Sequence, residues 1–137
     1  MDHSDVALIF AYGTLRDPRR MDALLDASSR WRVVAEGSVQ GRLYDVGEYP
    51  ALIKSDDPND RVPGVVIEIQ PGASVLARLD AYEGVDAGFY RREVLPVYRA
   101  AGSARGAWVY VYQRSVEGLR RITEWPGTAR KVGVAFD

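Results

Sequence analysis

Apolar positions in this chain fall mainly into short runs and period-two alternations, with helical spacing at only two places. Residues 6–12 are an unbroken apolar run too short for a comfortable helix, which predicts a buried strand. Alternation over 31–39, broken at Gly37, continues over 41–46, so a long bent strand or two linked strands is predicted. Gly47-Glu48-Tyr49-Pro50 reads as a turn into a short strand over 51–53, and the polar stretch 55–60 as a surface loop. The β-branched run 64–69 predicts a further strand, ended by Pro71-Gly72. Residues 90–98 and 108–112 alternate again. In the second of these, Trp108, Tyr110 and Tyr112 share one face, and Val109 and Val111 the other.

The first helical stripe, Met21, Leu24 and Leu25, follows Asp17-Pro18 as cap and first helical residue, and predicts a short helix ending near Ser28. The second, Val75, Leu76 and Leu79, follows Ser74 as its predicted cap and stops at Gly84. The stretch 120–137 has a Trp125-Pro126-Gly127 break and no clear period. With no repeat, linker or low-complexity tract, residues 1–137 are expected to form one domain. Many short strands and two helices predict an α+β fold: a small mixed or antiparallel β-barrel with two flanking helices.

Composition narrows the chemistry. A formal net charge of −1 gives no bulk field toward nucleic acid or an anionic membrane. With no cysteine, thiolate catalysis, disulfides and cysteine-based metal sites are excluded. His3 is the sole histidine, in what reads as a frayed terminus, so a histidine-based triad or zinc site is not expected. Proton transfer would fall to a carboxylate or a tyrosine. No apolar stretch reaches membrane-spanning length and no signal peptide precedes Val6, so the expected location is the cytoplasm. The sequence gives no oligomeric state.

Against that background two clusters stand out. Tyr12-Gly13-Thr14-Leu15-Arg16 leaves the first strand through a glycine that lets a ligand approach backbone N–H groups, a geometry suited to a carboxylate or a developing oxyanion. Leu79-Asp80-Ala81-Tyr82-Glu83-Gly84 places Glu83 at a helix C-terminus, where the macrodipole favours a raised pKa and thus acid/base work near neutrality. Each cluster also reads as a plain strand end or a solvated helix end. Tyr12, Tyr90, Tyr110 and Tyr112 suit the wall of a shared cavity or ordinary cross-strand packing. Tyr49-Pro50 suits a pocket rim or a turn. Arg16, Arg91 and Arg92 are candidates to fork onto a ligand carboxylate.

In combination these residues resemble the γ-glutamylcyclotransferase-like superfamily. The likeness is to its small branch of bacterial members, plant avirulence-induced-gene-like proteins and animal γ-glutamylamine cyclotransferase. The resemblance rests on the strand into Tyr12-Gly13-Thr14-Leu15, on Gly47-x-Tyr49-Pro50-Ala51, on Leu79-Asp80-x-Tyr82-Glu83-Gly84 and on Tyr90-x-Arg92. It implies a barrel around a polar cavity, with Glu83 as acid/base. It implies that Tyr12, Gly13, Thr14, Leu15, Arg16, Tyr49, Pro50, Tyr90 and Tyr112 contact a small γ-glutamyl substrate. The implied reaction is attack of the substrate's α-amine on its own γ-amide carbonyl, releasing 5-oxoproline and a free amine or amino acid without metal or cofactor. A binding module that keeps the cavity without turnover, or a cyclotransferase deprotecting a biosynthetic intermediate, are the alternatives. The tail departs from the family pattern, reading Ile122-Thr123-Glu124-Trp125-Pro126-Gly127 where Gly-Asp-Trp often follows the isoleucine.

Overall fold

A computed structural model describes residues 5–100 and 102–125. In chain order the elements are β1 (Ala7–Ala11), a 3-10 turn (Thr14–Arg16), α1 (Pro18–Leu24), β2 (Arg30–Asp45), β3 (Pro50–Lys54), β4 (Arg61–Gln70), α2 (Gly72–Glu83), β5 (Tyr90–Tyr98), β6 (Ala104–Tyr112) and β7 (Arg120–Ile122). Five strands close on themselves in the order β2, β4, β1, β6, β5, with a last pairing of Ser38 on β2 with Tyr98 on β5. Every pairing in the ring is antiparallel except β1 with β6, where Ile9 faces Trp108. This is the expected mixed α+β barrel.

β2 is one strand of 16 residues rather than two linked strands. Its bend comes from a register shift between Val33 and Ala35, where an extra residue increases local twist. Gly37 marks the closure. A Cβ there would lie 2.8 Å from the Tyr98 carbonyl oxygen, so only glycine lets β5 come this close. Beyond the ring, β2 continues to pair with β3 and with β7, a short strand that the aperiodic tail did not predict.

Strand alternation sorts the core into two faces. Ile9, Ala11, Ile67 and Ile69 pack with Val75, Leu76 and Leu79 of α2. Phe10, Tyr12, Val66, Val109 and Val111 gather on the other face with Leu43 and Leu52. Burial of Val75, Leu76 and Leu79 against the sheet, more than intrinsic propensity, anchors α2.

Two helix ends differ from expectation. Ser74 is not the cap of α2; the helix starts at Gly72. Its first N–H groups are met by Asp5, whose backbone oxygen accepts from Gly72 N–H at 2.9 Å and whose carboxylate accepts from Ala73 N–H at 3.2 Å. A partner 68 residues away in sequence leaves no local signature. α1 ends at Leu24, not near Ser28, because Leu25 turns extended and Asp26 draws Ser28 N–H and the Ser28 and Ser29 hydroxyls into a local turn. Asp17 does cap α1, accepting from Arg19 N–H at 3.0 Å. The break at Pro126-Gly127 and the terminus around His3 lie outside the described residues. Among the described residues no helix is long and apolar enough to cross a membrane.

Candidate active site

β1 delivers the chain to Tyr12 and Gly13, where it folds at once into the 3-10 turn Thr14–Arg16. The turn is closed by Arg16 N–H to Gly13 oxygen at 3.0 Å and Asp17 N–H to Thr14 oxygen at 3.1 Å. The N–H groups of Gly13, Thr14 and Leu15 engage no acceptor among the described residues, as the open start of a helical turn requires. Gly13 is needed for close approach: a Cβ would stand 2.6 Å from Cγ of Pro50. The loop and the Tyr49-Pro50 turn therefore interlock.

Facing this loop is the end of α2. Gly84 adopts the left-handed conformation (φ 69°), and Gly84 N–H and Val85 N–H bond back to Ala81 and Asp80 oxygens at 3.2 and 3.0 Å. This double closure stops the helix sharply, leaving Glu83 as its last residue. The Tyr82 hydroxyl and Thr14 Oγ1 share a hydrogen bond of 3.0 Å, which ties the loop to the helix one residue before Glu83.

Glu83 itself is half-buried, and its carboxylate has neither a hydrogen bond nor an ion pair with any described residue. Burial pushes its pKa up to about 7. The sequence attributed such a rise to the helix macrodipole, but loss of solvent is the cause here. Tyr12, Tyr90 and Tyr110 also titrate above the ordinary tyrosine range, first through burial and in part through the nearby Glu83 charge.

Two adjoining hollows meet at this carboxylate. An inner cavity of about 30 Å³ is walled by residues 10–15 with Tyr49, Pro50, Glu83, Tyr90 and Tyr110. An outer cleft of about 360 Å³ is walled by Thr14, Tyr49, Tyr82, Glu83, Gly84, Phe89 and Tyr90. The inner tyrosines are fixed: Tyr12 donates to the Tyr110 carbonyl and Tyr90 to the Pro50 carbonyl, each at 2.6 Å. With their protons committed, these hydroxyl oxygens remain acceptors toward a ligand ammonium. The ensemble thus offers backbone donors on one side, acceptor oxygens on the other and, between them, a carboxylate unpaired among the described residues.

Of the residues singled out in the sequence, Tyr12, Gly13, Thr14, Leu15, Tyr49, Pro50, Glu83 and Tyr90 come together here. Tyr112 and Arg16 are not part of either wall. Tyr112 packs edge-on against Tyr90 with ring centres 5.3 Å apart and supports the wall from behind. Arg16 is only 2% exposed, its guanidinium donates to the Trp125 carbonyl, and burial lowers its pKa. Arg91 and Arg92 turn elsewhere too. Arg91 pairs with Glu93, whereas Arg92 forks onto Asp80 at 2.8 and 3.1 Å. Asp80 also accepts from the Tyr110 hydroxyl at 2.7 Å, so this cluster pins β5 and β6 to α2 one turn before Glu83. Tyr110, read in the sequence as a candidate cavity wall, lies there too, and Phe10, Ala11, Tyr82 and Phe89 join the walls without having been assigned substrate contacts from sequence. An apolar Phe89 beside Gly88 in an exposed loop was the available signal for one of them.

The sequence model of the family described as Gamma-glutamyl cyclotransferase, AIG2-like matches residues 9–126. The chain belongs to this family. A relative named Gamma-glutamylcyclotransferase family protein YtfP, from Escherichia coli K12, is 34% identical over 119 residues, covering 83% of this chain and 89% of the relative. The solution structure of E. coli ytfP superimposes with a TM-score of 0.61 at 30% identity, over 90% of this chain and 98% of that one. A crystal structure of a Mus musculus aig2-like protein reaches a TM-score of 0.72 at 24% identity, covering 88% of each chain, and shows a shared fold. Membership in the γ-glutamyl cyclotransferase family suggests an enzyme.

Proposed function

We propose that the protein is a γ-glutamyl cyclotransferase that converts a γ-glutamyl amine or γ-glutamyl amino acid to 5-oxoproline and the free amine. The observation that carries this reading is a half-buried Glu83 with a pKa near 7, standing opposite the N–H groups of Gly13, Thr14 and Leu15, none of them partnered among the described residues.

The chemistry follows from these groups. The Glu83 carboxylate takes a proton from the substrate α-ammonium, because only the neutral amine has a lone pair for attack. That nitrogen adds to the γ-amide carbonyl carbon and closes a five-membered ring. The oxyanion formed is met by N–H donors of the Gly13–Leu15 turn, held in place by the interlocked Pro50. Protonated Glu83 then passes its proton to the leaving nitrogen as the amide C–N bond breaks. The freed carboxylate takes the second proton from the ring nitrogen, and that proton departs with the released amine as its ammonium. A pKa near neutrality serves both transfers. Nucleophile and electrophile belong to one molecule, so the cavity's contribution is to fold the substrate into a reactive shape and exclude water.

Release of 5-oxoproline from a panel of γ-glutamyl amines and amino acids tests the proposal, with Glu83→Gln as the control. Turnover by the wild type that is lost in a folded variant is the expected result. Binding of these compounds without any 5-oxoproline would make the protein a binding module.

A further inference from the structure

The outer cleft has a composition that the cyclisation does not require. Its walls carry four aromatic rings, those of Tyr49, Tyr82, Phe89 and Tyr90, and the only carboxylate among them is Glu83. Phe89 is the unusual member. It is 37% exposed, one of few large apolar side chains left in water, yet it is rigidly mounted. Its N–H donates to the Gly84 carbonyl at 3.1 Å and its carbonyl accepts from Gln113 N–H at 2.9 Å. A Cβ on Gly84 would come within 3.0 Å of the Phe89 ring, so the ring is packed on the residue that follows Glu83. A fixed, partly exposed aromatic beside this carboxylate, with the Arg114 guanidinium over one face, is a binding surface in waiting.

Charge decides what it suits. A leaving group with a carboxylate would bring a second negative charge toward Glu83, and since no arginine or lysine lines the cleft itself, Arg114 or Arg20 would have to leave the Phe89 or Tyr82 ring it covers to receive it. A leaving group with a distal ammonium would look to the ring faces, but two of these already hold cations. The Arg114 guanidinium lies 4.2 Å from the Phe89 ring centre and that of Arg20 5.6 Å from the centre of Tyr82. A further cation would meet their repulsion. A flat neutral group avoids both penalties and gains stacking or edge contacts with four preset rings.

We propose, resting on the cyclotransferase reading above, that the outer cleft selects γ-glutamyl amides of uncharged arylalkyl amines. The amine leaves past Phe89 and Tyr82 while the γ-glutamyl half is held between Glu83 and the Gly13–Leu15 turn.

The test compares kcat/KM for the γ-glutamyl conjugates of phenethylamine, ethylamine, alanine and 1,4-diaminobutane, read as 5-oxoproline formed. All four leave as aliphatic amines, so differences report the cleft more than bond reactivity. The phenethylamide is expected to exceed each of the others by about tenfold or more, the scale one apolar contact surface provides. In Phe89→Leu, and in Phe89→Ala with an unchanged melting temperature, that preference should shrink to within about threefold. Equal rates on all conjugates, or a preference for the alanine or diaminobutane conjugate, would overturn the assignment while leaving the reaction intact. A phenethyl preference that survives in both variants would likewise remove Phe89 from it. No 5-oxoproline from any conjugate would instead sink the cyclotransferase reading itself.

Discussion

Asp60 and Glu83 are two partly buried carboxylates whose surroundings could hardly differ more. Asp60, 8% exposed, accepts from the Ser55 hydroxyl at 2.6 Å, Arg42 Nε at 2.7 Å and Arg121 Nη2 at 2.8 Å. These donors hold its pKa well below the usual carboxylate range. It ties the 55–60 loop to β2 and β7, with its charge met by two guanidiniums of the protein itself. Glu83 accepts from no described residue, and burial raises its pKa to about 7. A fold can satisfy a buried carboxylate completely, and here it does so at one site and withholds it at the other. The unsatisfied one borders the cavity, where a substrate ammonium can complete its shell.

The strongest way to break the comparison is to remove each charge. Glu83→Gln should lower 5-oxoproline turnover by roughly 10²–10⁴-fold with the fold retained. Asp60→Asn should do the reverse, lowering the melting temperature while kcat/KM at a permissive temperature changes by less than about threefold. Similar behaviour of the two variants in both assays would erase the distinction. Next in size is Gly13→Ala. Its Cβ meets Pro50 at 2.6 Å, so the N–H groups must shift, and kcat/KM should fall by about 10–100-fold in steady-state assays.

How far the comparison was readable from sequence depends on where partners sit. Alternation located β2, β5 and β6, and unbroken apolar or β-branched runs located β1 and β4, because a strand writes its burial into its residue pattern. Gly84 marked the end of α2 for the same local reason. Asp5 capping α2, β7 pairing on β2 and the Asp80–Arg92 fork had no local signature, since each depends on segments brought together only by the barrel. Arg92 illustrates the point: a candidate ligand for substrate carboxylate proved to be a brace between α2 and β5. Glu83 was singled out in the sequence for one reason, and its surroundings supply another. Its position at a helix end was visible, whereas the burial that raises its pKa needed the Tyr12, Tyr90 and Tyr110 walls in three dimensions.

Stability against pH sharpens the contrast further. An unfolded glutamate titrates near 4.5 and folded Glu83 near 7, so the folded state binds more protons between these values. Its ionisation therefore costs stability as pH rises through that window, fully above pH 7. Glu83→Gln should be more stable than wild type at pH 8 by about 1–2 kcal/mol, after discounting for solvent contact, with the gain vanishing below pH 4.5. Asp60 has the opposite sign. Its folded pKa lies below the unfolded 3.8, so its contribution is complete above that pH and is lost as pH falls further. Denaturant melts across pH would show both trends. The smallest effect belongs to Tyr82→Phe, which deletes the 3.0 Å bond to Thr14 and should cost about 0.5–1.5 kcal/mol in stability and a few-fold in kcat/KM.

The most direct measurement is a carbon NMR titration of the side-chain carboxyl of Glu83, assigned by its loss in Glu83→Gln, in the free protein. A midpoint near 7 is the expected result, with the Asp60 signal still ionised at the acid end of the folded range. A Glu83 midpoint near 4.5 would contradict the account, because a carboxylate with an ordinary pKa is neither desolvated nor poised for proton exchange at neutrality.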